Sequence, residues 1–199
     1  MTRKELKARA REQLGGKIFG NIWLMAVLAV FIYGAITSAS SVVIPGLGAL
    51  ILIGPITYGM KKMFLKQARD HREMELSELF NGFTDDFGQT LLIGLLTSLF
   101  TFLWGLLFII PGIVKYYAYS MAYYIKADHP DYDWRQCISE SQAMMKGHKW
   151  ELFVLELSFL GWGIVGAMCL GVGTLWVSAY MEAAYAQFYE SIKQYVLPE

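Results

Sequence analysis

Long apolar stretches alternate with short charged ones along this chain. Residues 18–60 contain no Asp, Glu, Lys or Arg. At about 1.5 Å of rise per helical residue, that run is about twice the ~30 Å hydrocarbon thickness of a bilayer, so it crosses twice. The full pattern predicts six spans near residues 18–39, 46–65, 87–110, 112–127, 149–170 and 174–192. Backbone groups in lipid need partners within their own segment, and the runs lack the alternation of a membrane barrel, so the spans are helices. Shorter amphipathic stripes precede the odd-numbered spans. Leu6, Ala10 and Leu14 share one face; Leu76, Leu79, Phe80 and Phe83 form a second stripe; Trp134, Cys137, Ile138, Ser141 and Met145 form a third. Asp133 with Gln136 fits a capping box at the start of the third. These short helices either lie flat in the headgroup layer or pack under the bundle.

The elements recur. A shift of 66 carries Gly16 onto Gly82, Ile44-Pro45-Gly46 onto Ile110-Pro111-Gly112, and Tyr58 onto Tyr124. A shift of 65 carries Phe80-Asn81-Gly82 onto Met145-Lys146-Gly147. A shift of 61 then carries Gly112 onto Gly173, Tyr119 onto Tyr180 and Tyr124 onto Tyr185. The expected architecture is therefore all-α and polytopic: one membrane domain over 1–199 with internal repeats at 4–66, 73–127 and 133–193. Each repeat is a short cytoplasmic amphipathic helix, a glycine, a span out, a tight turn and a span back. Two spans per repeat make the three hairpins parallel, related by an axis along the membrane normal.

Composition agrees with a membrane protein. Hydrophobic residues make up 55% of the chain and charged ones 17%, and mean hydropathy is +0.38. The net charge of zero carries no information, because the distribution does. Sixteen of the seventeen Lys and Arg residues fall on one side of the predicted spans, and only Lys115 on the other. The positive-inside rule places both termini in the cytoplasm of a multi-pass cell-membrane protein. The basic lead-in followed by "AITSASS" imitates a secretory signal; the first span is expected to be retained, because the repeat needs it. Cys137 and Cys169 form neither a disulfide framework nor a metal site.

Candidate chemistry is sparse. Glu156 and Glu182 fall ~10–14 Å inside neighbouring spans, near the midplane. A carboxylate there costs at least ~2.5 kcal/mol to bury, which marks a functional hypothesis. No Lys or Arg is expected at that depth, so the two carboxyls are expected to be protonated or to share a proton. They serve either as a proton or cation site or as neutral groups bonded to Ser158, Ser178 or Tyr180. Tyr119 and Tyr180 lie deeper than interfacial anchors and need partners, in the packing or in a ligand. Lys146, Gly147, His148 and Lys149 read as lipid headgroup contacts or as a hinge between a flat helix and a crossing one. "KADHPDYDW" holds Asp128, His129, Asp131 and Asp133 in a spacing that matches no metal motif. No Walker loop, GxSxG or HExxH is present.

Three stretches carry a family resemblance: Ala127-Asp128-His129-Pro130, Met144-Met145-Lys146-Gly147-His148-Lys149 and Phe159-Leu160-Gly161-Trp162. They resemble the bacterial six-helix membrane proteins catalogued as domain-of-unknown-function family 975, common in Gram-positive bacteria. The family's small-Pro-Tyr near the start of span six reads Ser178-Ala179-Tyr180 here, without the proline. The resemblance implies a cell-membrane location and supplies no reaction, so it transfers no catalytic residues. The expected function is a non-enzymatic scaffold or accessory protein that binds membrane lipids or another membrane protein, with no cofactor, metal or nucleic acid. The alternative is a small proton- or cation-linked transporter using Glu156 and Glu182.

Overall fold

The first helix begins where a capping box predicts it. Thr2 Oγ1 accepts from the Glu5 amide, and Glu5 Oε2 accepts from the Thr2 amide at 2.9 Å, so orphan donors at the helix start are satisfied reciprocally. The computed structural model describes residues 2–43, 47–70, 74–168 and 171–196, and all regular structure among them is helical. In chain order the helices are α1 (Arg3–Gln13), α2 (Asn21–Val43), α3 (Leu47–Asp70), a 3-10 turn (Leu76–Phe80), α4 (Asn81–Thr84), α5 (Phe87–Leu107), α6 (Ile109–Tyr119), α7 (Ala122–Asp128), α8 (Trp134–Met144), α9 (Lys149–Met168) and α10 (Val172–Val196). The turn expected at Ile44-Pro45-Gly46 lies outside the described residues, as do Arg72 and Cys169.

Among the described residues, three helices are long and apolar enough to cross a membrane: the Asn21–Ala39 part of α2, then α5 and α9. Their outward surfaces are apolar. Phe102, Leu106 and Leu107 are 65%, 69% and 65% exposed, and Leu160, Val165 and Met168 are exposed as well. Patches of this size mark contact with lipid or protein. Helices α3 and α10 are as long but carry charge within them: Lys61, Lys62, Lys66 and Arg69 on α3, and Glu182, Glu190 and Lys193 on α10. Both pack in the interior of the bundle, against each other, α2 and, for α3, α5.

The span expected at 112–127 is interrupted. α6 ends at Tyr119 and α7 starts at Ala122, and the cause is a side chain from α8. Buried Ser141 donates from Oγ to the Ala118 carbonyl at 2.8 Å and accepts from the Met121 amide at 3.2 Å. A hydroxyl inserted into the helical ladder breaks it while keeping both backbone groups satisfied. The capping box expected at Asp133 and Gln136 is present.

The short helices pack against the long ones. α8 buries Cys137, Ile138, Ser141 and Met144, and its Gln142 side chain accepts from Lys115 Nζ at 3.3 Å. α1 buries Leu6 and Ala10 and crosses α10. Its end is held by Gln13, which donates to the Phe64 carbonyl at 3.0 Å and accepts from Gln187 at 3.0 Å. Apolar stripes that had two possible resting places are thus docked on protein, with the charged residues Arg3, Lys4, Arg9 and Arg11 exposed.

Two hairpin turns close on pairs of glycines. A Cβ on Gly112 would lie 2.7 Å from Gly105 Cα, and one on Gly166 would lie 2.8 Å from the Gly173 carbonyl carbon. Small residues let two backbones approach within a membrane. Gly82 departs from the other two glycine landmarks. Gly16 and Gly147 adopt positive φ, of 70° and 93°, between helices, whereas Gly82 sits inside α4. There it presses against the backbone of Pro55, where a Cβ would overlap the Pro55 carbonyl.

Candidate functional site: a charged cavity inside the bundle

The basic residues expected to follow span two do not all follow it. α3 runs on to Asp70, so Lys61 lies within the helix, about 14 Å from that end. Its ammonium meets Glu182 of α10 at 2.6 Å, with the two side chains 14% and 12% exposed. This overturns the expectation that no cation reaches the depth of the two carboxylates. The ammonium also lies over the rings of Tyr185 and Tyr124, at 4.9 and 5.5 Å from their centroids. Three positions on α10 build this face: Glu182, Tyr185 and Tyr189 follow one another at spacings of three and four.

Glu156 has different partners. Tyr185 donates to its Oε1 at 2.5 Å, and Tyr117 of α6 donates to its Oε2. Two of the partners proposed for a neutral carboxyl, Ser158 and Tyr180, are engaged elsewhere. Ser158 Oγ donates to the Leu155 carbonyl at 2.5 Å, and Tyr180 donates to the Lys7 carbonyl at 2.8 Å. Each carboxylate therefore has its own donors, with Tyr185 and Lys61 linking the two groups.

Beside this arrangement is a cavity of about 420 Å³. α3 contributes Lys61, α9 contributes Glu156, and α10 contributes Tyr185. Thr97 and Thr101 of α5 and Tyr123 and Tyr124 of α7 complete its polar wall. Tyr116, 54% exposed, and Phe102 stand at its open side. Tyr119 also lines it, with its ring tilted against Phe100 at 6.4 Å between centroids. Tyr180 is elsewhere: its ring packs edge-on against Phe159 at 5.1 Å, and its hydroxyl pins α1 to α10. Tyr124 and Tyr185 come together over Lys61, while Tyr58 is buried under Lys62, 5.6 Å from ring centroid to ammonium.

A second polar cluster joins the ends of α3, α7 and α10. Asp128, 2% exposed, pairs with Arg69 at 2.5 Å and Lys193 at 2.8 Å and accepts from Tyr189 at 2.7 Å; Arg69 also reaches Glu190 at 2.5 Å. Burial raises the Asp128 pKa, but the bonds from Arg69, Lys193 and Tyr189 outweigh it and hold the carboxyl below its ordinary value. A folded-state pKa below the unfolded one gives stability that is present above the unfolded pKa and lost as pH falls through the folded one. Melting in detergent should therefore drop as pH falls below about 4, the ordinary Asp range. Asp128→Asn should lower the melting temperature at neutral pH and flatten that acid limb. An unchanged limb in the variant would show that other carboxylates set it.

Of the hinge residues, Gly147 provides the left-handed turn between α8 and α9, and His148 Nδ1 contacts Glu151 at 3.0 Å. Lys146 is exposed and Lys149 half-buried. In the "KADHPDYDW" loop, buried Lys126 donates to Asp86 at 2.9 Å and to the Pro130 and Tyr132 carbonyls at 2.8 and 2.9 Å, so this segment is internally tied. Among the described residues, no group of three His, Cys, Asp or Glu is arranged to hold a metal ion. Sequence reasoning missed Lys61 by assigning it to the region after its helix, and missed Tyr117, whose partner Glu156 lies 39 residues away. The helical spacing of Tyr58 and Lys61, which share a face, was the signal for the first.

The family model described as "Protein of unknown function (DUF975)" matches residues 1–116 and 106–195. No curated protein and no solved structure matches the chain.

Proposed function

The chain belongs to this family of proteins of unknown function, and from that premise we propose an integral cell-membrane protein that binds a lipid or another membrane protein and performs no covalent chemistry. The observation that carries the reading is the cavity, walled by Lys61, Glu156 and tyrosines and open beside Tyr116 and Phe102. It is a receptor shape set among apolar outer surfaces. The interior charges are engaged in holding helices together, as in the Lys61–Glu182 pair, which favours a binding scaffold over a reaction centre. Native mass spectrometry of protein released from its own membrane tests this. A retained lipid or protein is expected; a chain that emerges bare, with no retained mass, argues against it.

The topology that goes with this reading has six spans, with α2, α3, α5, α6–α7, α9 and α10 as the crossings and both termini cytoplasmic. The hairpin repeats 4–66, 73–127 and 133–193 are supported by the glycine pairs, since Gly105 and Gly166, like Gly112 and Gly173, stand 61 positions apart. Cysteine labelling of intact cells should reach a residue placed at Ser40 or Gly171 and should not reach one at Arg72 or His129. Labelling at His129 from outside would overturn the orientation.

A second reading, proton- or cation-linked transport, is favoured by one observation: Glu156 lines the cavity and has no basic partner among the described residues. Glu182 serves it less well, being committed to Lys61. Proteoliposomes carrying an internal pH dye distinguish the two readings, since a binding scaffold gives no flux.

A further inference from the structure

The polar lining of the central cavity holds acceptor capacity that the protein does not use. Lys61 is its lining cation, and that ammonium is already held by Glu182 at 2.6 Å. Glu156 takes one phenolic hydrogen bond on each oxygen. An ionised carboxylate offers roughly four acceptor positions, so about half of its capacity remains. Thr97 spends its hydroxyl proton on the Ile93 carbonyl at 2.6 Å, and Ser120 spends its own on the Tyr117 carbonyl at 2.9 Å. Both line the cavity with oxygen lone pairs left to accept. The Tyr124 hydroxyl is buried and has no hydrogen-bond partner among the described residues, although Tyr124 lines the same space. A buried hydroxyl without a partner is costly and uncommon in a folded protein.

The charges point the same way. Lys61 and Glu182 neutralise each other, which leaves Glu156 as the uncompensated charge of the site. The lining is rich in aromatic rings, namely those of tyrosines 116, 119, 123, 124 and 185, and the Lys61 ammonium already sits over two of them, 5.5 Å from the Tyr124 centroid and 4.9 Å from that of Tyr185. An anion entering here would find no uncompensated positive charge, because Glu182 already matches Lys61. A cation with N–H or N–CH groups would find a carboxylate, acceptor oxygens and π faces together. That is the combination by which proteins hold ammonium groups. The volume of about 420 Å³ lies in the range of roughly 300–1,000 Å³ for small-molecule pockets, so it admits an amine with a substituent attached.

We propose that this cavity binds an organic ammonium ion, with Glu156 as its counter-charge and the tyrosine rings as its walls. This deepens the reading of the protein as a membrane binding protein and rests on it. The ammonium can come from a lipid headgroup or from a free amine, and the two arms of the test separate these sources.

Full-length protein is placed in nanodiscs of phosphatidylglycerol, which carries no amine. One arm titrates free ethanolamine and free choline by calorimetry. The other adds phosphatidylethanolamine to the nanodisc and reads retained lipid by native mass spectrometry. Saturable binding in either arm is expected, and the arm in which it occurs identifies the source. Glu156→Gln should weaken it about tenfold or more, the loss of one charge–charge contact in a site shielded from water. Tyr124→Phe, which keeps the ring and removes the hydroxyl, should weaken it about threefold, and it stands in as the deciding variant if Glu156→Gln does not fold. No binding in either arm, or affinity unchanged in the folded deciding variant, overturns the proposal. A protein that retains some lipid or partner from its own membrane but binds neither ammonium probe sinks this inference alone. One that retains nothing sinks the broader reading as well.

Discussion

Gly59→Ala should be the most damaging single-methyl change in this protein. Gly59 lies on α3 where the 3-10 turn crosses it, and a Cβ there would overlap the carbonyl oxygen and carbon of Leu79. Both neighbours are backbone, so neither can swing aside as a side chain would. Gly82 makes the reciprocal contact from the other element, against the backbone of Pro55, one helical turn along α3. Two close approaches on one helix clamp the segment that precedes α5, and Thr90, buried, adds a bond from Oγ1 to the Gly82 carbonyl at 3.0 Å. Forcing a methyl into a packed backbone contact costs about 3 kcal/mol, the upper part of the usual range for overpacking. Purified in detergent, Gly59→Ala and Gly82→Ala should melt well below wild type or fail to yield a monodisperse protein. Gly34→Ala is the control: among the described residues, no atom beyond its own stretch of helix lies within 4 Å of a Cβ there, and alanine favours a helix over glycine. If Gly59→Ala melts with Gly34→Ala, the clamp is absent.

Removing one partner of the interior ion pair should be at least as costly, and removing both should not. Lys61→Met leaves Glu182 at 12% exposure without its cation, and Glu182→Met leaves Lys61 without its anion. Stranding one buried charge costs about 3–5 kcal/mol, whereas replacing both members of a pair with apolar residues is often neutral. Each single variant should therefore lose most of its thermal stability, and Lys61→Met combined with Glu182→Met should recover much of it. A cycle in which the two losses add, with no recovery, would show that the groups are not coupled. The same variants probe the cavity. With Lys61 gone, Glu182 becomes a second carboxylate without a cation, one helical turn from Tyr185.

How much of this was legible differs between elements. The stripes of α1 and α8 and the capping box at Asp133 were read directly, because helical periodicity and local hydrogen bonds depend on residues three and four positions apart. The break between α6 and α7 was not, because the group that makes it, Ser141, comes from another helix 20 residues on. Lys61 was misassigned for a related reason. A lysine near a span end normally extends toward water, and what turns this one inward is Glu182, 121 residues away in sequence. Glu156 was marked by its charge in an apolar run, but its donors, Tyr117 and Tyr185, are distant in sequence and carried no local sign of their role.

The sequence by itself determined the helical class, the apolar surfaces of α2, α5 and α9, and the family to which the chain belongs. These follow from composition, from the period of the pattern and from contiguous motifs, all of which are carried by neighbouring residues. Only the tertiary structure decided where the short helices dock, which charges neutralise which, and that Lys61, Glu156 and Tyr124 line one cavity. Those outcomes depend on which face of each helix meets its neighbour. That rotation is set by backbone contacts such as Gly59 on Leu79 and by ion pairs between helices far apart in the chain, where no local pattern records it.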